Sequence, residues 1–372
     1  MNVYLIIILV LVLCVGSTYE ILTYRSNYLL AFISLCFFVI CIATRSPMLS
    51  DTRGYIEGYN EISFTNMQQG DMNIGFIILV CIFKALRINV RFFFGFIAIL
   101  NYCIAYYACK NFLKDCSTEE AIILYGVKVE KTDMIFQPCV FSALFIPYFG
   151  IYYSGEVLRG GIAISFILLS YLYLCRRNYF AYILFIVIAM LFHSSAILGL
   201  LLIICDMFTV HEKKKYLILW GIVVAIWISK IGFRVIQIVP IVTHKLYEIT
   251  KIFSFERYTV FYASAIRFDA FWGKKELFFL ICCLVFILMK SSGSNTNDKI
   301  LTSYFLGVFL AFAVEYIMNS YRIVDFFLIF FVTCAGIYFM RKGSLHLRER
   351  KSIEIIVIVV LQVMIALRRF VL

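Results

Sequence analysis

The residues able to do chemistry in this chain are few, and each is set against apolar neighbours. In "GEVLRGGIAISF", residues 155–166, Glu156 stands three positions before Arg159, and Arg159 opens a run too apolar to remain in water. A guanidinium there either snorkels to lipid headgroups or matches phosphate oxygens with its planar fork of donors. Three other sites share that character. His193 closes an apolar run and is followed by Ser194 and Ser195. Arg322 precedes Asp325 by three residues, a spacing that also suits a plain intrahelical ion pair. Asp51, Tyr55 and Tyr59 recur at i, i+4 and i+8, which stacks them along one face of a helix. Bland readings compete with the chemical ones: Arg159 with Glu156 as a boundary pair, His193 as a packing or capping residue, Asp51 as an N-cap.

Those residues must be positioned by membrane helices. Of 372 residues, 63% are hydrophobic and 15% charged, with only 4 prolines and 19 glycines, and the mean hydropathy is +0.94. Spanning a bilayer takes roughly 20 apolar residues per helix, and such runs follow one another nearly end to end. The fold class expected is an all-α polytopic integral membrane protein, one transmembrane domain over 1–372, with about 12 spans (between about 11 and 14). The run Val3 to Thr18 has no basic n-region and no small-residue cleavage site, so it reads as the first span rather than a cleaved signal. The 13 cysteines lie scattered in apolar stretches and read as small core residues.

The net charge of +12 is resolved loop by loop. Arg176 with Arg177, "HEKKK" (211–215), Lys290 to Lys299 and "RKGSLHLRERK" (341–351) recur at every other boundary and must share a side, cytoplasmic by the positive-inside rule. Spans are expected at 3–19, 28–44, 92–109, 134–153, 159–175, 178–193, 195–209, 214–233, 276–290, 300–318 and 322–340, with both termini outside. Ile74 to Phe83 is too short to cross and carries Lys84, Arg87 and Arg91 behind it, so it is expected to be a re-entrant or interfacial helix. Arg159, His193, the loop 45–72 and the loop 234–275 then share the outer side.

Both outer loops are unlike passive linkers. Loop 45–72 holds Asp51, Glu57, Glu61 and Asp71 against Arg45 and Arg53. Loop 234–275 holds Arg234, His244, Lys245, Lys251, Arg257, Arg267, Lys274 and Lys275 among Tyr247, Phe255, Tyr258, Phe261, Tyr262, Phe268 and Trp272. An outer loop this basic runs against topological bias, so something anionic must repay it. Aromatic rings stack on sugars or prenyl chains while arginine forks hold phosphate, which makes a lipid-linked phosphate or glycan the natural ligand class. HExxH, Walker A and paired CxxC motifs are missing, which leaves zinc proteases and nucleotide-driven pumps without their parts.

The stretches "RSPMLSDTRGYIEGYN", "MNIGFIIL", "LRGGIAISFILLSYLYLCRRNYFAYILFIVIAMLFHSSAILGL" and "NSYRIVDFF" resemble the bacterial polysaccharide polymerases of the Wzy and EpsG type. The resemblance covers roughly 45–340. It implies a glycosyltransferase of the bacterial inner membrane that joins undecaprenyl-diphosphate-linked oligosaccharide repeats into O-antigen or a related surface polysaccharide, on the outer face. The same lipid-linked glycan serves as donor and acceptor, membrane lipids surround it, and a chain-length regulator and a flippase of the pathway are implied partners; nucleic acid is not. In this reading Arg159 and Arg322 hold the diphosphate, His193 and the possible base Asp51 complete the catalytic set, and Arg257, Arg267, Tyr55, Tyr59 and Tyr258 bind substrate. Relatives often carry a glutamate where this chain has Asn73, which removes any acid role from that position. No cofactor is implied. No metal is expected either, because Asp51, Glu57 and Glu61 are spaced i, i+6 and i+10 and spread around a helix. The alternatives are an O-antigen ligase-like glycosyltransferase, which shares the lipid-diphosphate chemistry, and a lipid-linked oligosaccharide flippase or transporter.

Overall fold

Uncharged apolar runs leave the backbone no partner but itself, and in an oily environment that selects helices. The computed structural model describes residues 3–46, 50–62, 73–125, 134–229, 274–290, 294–313 and 320–371, and these are almost wholly helical. In chain order the helices are α1 (Val3–Thr23), α2 (Tyr28–Ala43), α3 (Ser50–Glu61), α4 (Ile74–Ala85), α5 (Val90–Tyr125), α6 (Pro138–Phe145), α7 (Ile151–Gly155), α8 (Leu158–Cys175), α9 (Tyr179–Phe192), α10 (Leu202–Met207) and α11 (Lys213–Ile228). After the segment 230–273 come α12 (Lys274–Leu288), α13 (Asn295–Ala313), α14 (Ser320–Leu328), α15 (Phe330–Met340) and α16 (Leu345–Val371). Among the described residues the nearest thing to a strand is an isolated bridge between Met134 and Arg341.

Three of these helices, Val3–Thr23, Val90–Glu119 and Leu158–Cys175, are long and apolar enough to cross a membrane by length and composition. Other expected spans are built from interrupted pieces. The segment expected at 134–153 runs as α6, a π-turn over Ile146–Gly150 and then α7, with Pro147 removing a donor inside it. The segment expected at 195–209 is a 3-10 helix over Ser194–Leu201 followed by α10. The tighter helix rises about 2.0 Å per residue against about 1.5 Å, so a short apolar run reaches further along the bundle. The expected 322–340 divides into α14 and α15 at Ile329.

The helices connect two ends. At the first, the basic clusters meet carboxylates from other helices. Arg176 holds Asp115 at 2.7 Å and Arg177 holds Asp206 at 2.9 Å. Asp206 also pairs with Lys299 at 2.5 Å, and Asp298 with Lys290 at 2.8 Å and His211 at 3.0 Å. Glu119 accepts from Ser294 and Thr296. Glu20, fully buried at the end of α1, accepts from the backbone N–H groups of Cys139 and Val140, and so caps the start of α6 from another helix. At the opposite end lie α3, α4, the start of α5, the junction of α7 and α8, and the turn around His193. Between the ends, α8 packs on both α5 and α9, and α16 lies against α1.

Helix α4 stays at that opposite end. Its first turn sits beside α9, while Lys84 in its last turn donates to the carbonyls of Asn60 and Ile62, and the Tyr59 hydroxyl reaches the carbonyl of Ile88 just beyond. With 12 residues it measures about 18 Å, short of a hydrocarbon core of about 30 Å.

Candidate functional site

Around the junction of α7 and α8 lie Arg45 and Arg159. Arg45, just past the end of α2, donates from Nη1 to the carbonyls of Ser154 at 2.8 Å and Gly155 at 2.5 Å. Its guanidinium lies 3.7 Å over the Phe94 ring, and the residue is 6% exposed. Burial lowers its pKa to about 10, with Tyr55 and Asp51 acting in the other direction, so it stays charged at neutral pH. Its Nε and Nη2 meet no acceptor among the described residues. Buried donors left open are costly, and they are what an arriving anion would satisfy.

Arg159 follows four residues after Gly155, in the first turn of α8. Its Nη1 donates to Asn73 Oδ1 at 3.3 Å, which places it against the start of α4. Two glycines allow that approach. A Cβ on Gly161 would lie 2.7 Å from Asn101 Nδ2 and 2.8 Å from the Tyr153 carbonyl. One on Gly75 would lie 2.8 Å from the Leu191 carbonyl, near the end of α9. Any side chain at either position would push α8 off α7, or α4 off α9, and so part Arg159 from its surroundings.

His193 ends α9 in an extended conformation and precedes the 3-10 helix. Its ring meets Phe326 of α14 edge-on with centroids 5.7 Å apart. Helix α14 also carries Arg322, whose side chain lies outside the described residues. One turn on, Asp325 is fully buried and has its partners: Lys275 Nζ at 2.6 Å on Oδ1, and the hydroxyls of Tyr148 and Tyr153 at 2.7 Å each on Oδ2. The two tyrosines are five residues apart, which in an α-helix would point them about 140° away from each other. The π-turn between them, widened to i→i+5 bonding, turns both onto one oxygen.

Asp51, Tyr55 and Tyr59 share helix α3, as their spacing requires, but the two rings face inward. Tyr55 is 8% exposed and packs on Phe76; Tyr59 is 6% exposed, packs on Phe93 and bonds the Ile88 carbonyl. The sugar-stacking faces expected of them are therefore covered by protein, since aromatic burial stabilises the seating of α3 on α4 and α5. Asp51 stands at the first turn of α3, half-buried. Arg257, Arg267 and Tyr258, together with most of the loop 234–275, lie outside the described residues. Sequence reasoning did not single out Arg45, Lys275, Tyr148 or Tyr153 as site residues; Pro147 and Gly150 inside an apolar run were the signal for the last two.

The family described as the EpsG family matches residues 28–371. That range includes every described residue of this site. No curated protein matches, and no solved structure does.

Proposed function

Because the chain belongs to the EpsG family, a group of membrane proteins associated with glycosyltransferase-like polysaccharide polymerisation, we propose that it joins undecaprenyl-diphosphate-linked oligosaccharide repeats on the outer face of the bacterial inner membrane. About 12 crossings and an interfacial α4 complete the reading, which leaves the basic end cytoplasmic by the positive-inside rule.

In the reaction the hydroxyl oxygen of the acceptor sugar attacks the anomeric carbon of the donor glycan. The carbon–oxygen bond to the lipid diphosphate breaks, the diphosphate departs with the electron pair, and the hydroxyl proton passes to a carboxylate base, for which Asp51 is the candidate. The charge to be stabilised is that of the departing diphosphate. Arg159 and Arg322 are proposed to meet it, with Arg45, Arg257 and Arg267 as further donors. His193 bridges α9 to the helix of Arg322 and is proposed to orient the acceptor. Tyr258 is kept as a sugar-stacking residue, while Tyr55 and Tyr59 are reassigned to holding α3 in place. Where relatives carry glutamate, Asn73 contacts Arg159 through an uncharged amide, which helps to fix the guanidinium.

The observation that carries the reading is the convergence of Arg45, Arg159, His193 and the Arg322-bearing helix at one end of the bundle. Purified protein given a lipid-linked repeat unit tests it. Growth of a ladder of longer lipid-linked chains is the expected result. Transfer of the glycan to lipid A core would favour the ligase-like alternative, and translocation without bond formation a flippase.

A further inference from the structure

We propose that Asn101 of α5 is a positioning residue for Arg159, holding the junction of α7 and α8 that presents the guanidinium. The role rests on Arg159 meeting the leaving diphosphate. Asn101 sits three turns into α5, 1% exposed, on a face otherwise apolar through Ile97, Ala98 and Ala105. Its Nδ2 donates to Ser154 Oγ at 3.1 Å, and its Oδ1 meets no partner among the described residues. A buried amide with half its bonding unmet costs stability, and an apolar side chain of like size would cost less on that face. Packing alone does not call for an amide there; what the residue grips does.

The contacts of this one residue bracket Arg159 along the chain. Ser154, before Arg159, is held through its hydroxyl. Gly161, just after it, lies so close that a Cβ there would come 2.7 Å from Asn101 Nδ2. Ser165, further along α8, donates from Oγ to the Asn101 carbonyl at 3.3 Å. Arg45 meanwhile holds the carbonyls of Ser154 and Gly155, so the end of α7 stays anchored when the amide is removed. The amide therefore sets the angle at which α8 leaves α7, across the non-helical pair Glu156 and Val157. A small rotation at that joint carries the Arg159 side chain away from Asn73 and the start of α4, where its Nη1 is held. Misplacing a catalytic group by about 1 Å can cost a rate on the order of 100-fold.

The test measures chain extension on purified lipid-linked repeats, at equal amounts of folded full-length protein, for Asn101→Leu, Arg159→Ala and the double variant. Asn101→Leu keeps the Ser165 contact, which uses the backbone, and should lower kcat about tenfold with KM within about twofold, since the loss falls on the leaving group in the transition state. Arg159→Ala should be slower still. Adding Asn101→Leu to it should change the rate by less than about twofold, because nothing is left to position. Ser154→Ala breaks the same bond from its other end with a smaller change, and decides the matter if Asn101→Leu does not fold. It should slow extension severalfold, again with no added loss beside Arg159→Ala. Losses that multiply in the double variants, or a parent-like rate for Asn101→Leu or Ser154→Ala beside a slow Arg159→Ala, would overturn the positioning role and leave the proposed reaction standing. A parent-like rate for Arg159→Ala would overturn both.

Discussion

The two ends of the bundle anchor their cations by different means. At the basic end carboxylates answer both the buried lysines and the exposed groups around them: Asp206 sits between exposed Arg177 and buried Lys299, Asp298 between Lys290 and His211, and Asp115 faces Arg176. At the opposite end Arg45 rests on two carbonyls and a phenyl ring, and Arg159 reaches an amide oxygen. A carboxylate fixes a cation and cancels its field, whereas a carbonyl, an amide or a ring fixes it and leaves the field standing. The first arrangement suits a joint between helices; the second is where the proposed reaction would meet phosphate. The pair Lys275–Asp325 is a joint of the first kind set inside the second region, with two phenols completing it.

Breaking the joints should cost stability, and removing the guanidinium groups of the opposite end should cost rate. The largest stability loss is expected for Asp206→Ala, which strands buried Lys299: about 3–5 kcal/mol, read as a lower unfolding midpoint or loss of folded protein. Lys275→Met should be nearly as damaging, because it leaves the Asp325 carboxylate buried with only two phenols. Adding Asp325→Leu should recover most of that loss, so a double variant no better than the single would show that the pair is not a unit. Asn73→Ala should leave the midpoint within about 0.5 kcal/mol and slow chain extension severalfold, since it loosens Arg159 without removing it. The smallest effect is expected from excess EDTA. Arginines supply the positive charge in this mechanism, so extension rates should stay within about twofold.

Much of this contrast was legible in the sequence. The recurrence of basic clusters at alternate boundaries brings Arg176, His211, Lys290 and Arg341 to one end because loop charge tracks topology. The i, i+4, i+8 spacing gives α3, and the ten-residue run at 74–83 gives a helix too short to cross. What stayed hidden depended on irregular backbone or on distance along the chain. A five-residue separation of Tyr148 and Tyr153 carries no shared face until the π-turn creates one. Lys275 and Asp325 pair across fifty residues with nothing in either neighbourhood to announce it. The inward turn of Tyr55 and Tyr59 was also beyond reach, since a polar ring at a membrane boundary serves packing and binding equally well.

In the proposed reaction Arg159 acts on the leaving diphosphate rather than on the fold. That role is tested most directly by chain extension on purified lipid-linked repeats, comparing Arg159→Ala with the parent at equal amounts of folded protein. The expected result is an unfolding midpoint close to the parent's and a rate lower by about 100-fold or more, with Arg159→Lys recovering little because it lacks the planar fork. An alanine variant that builds long chains at close to the parent's rate would contradict it.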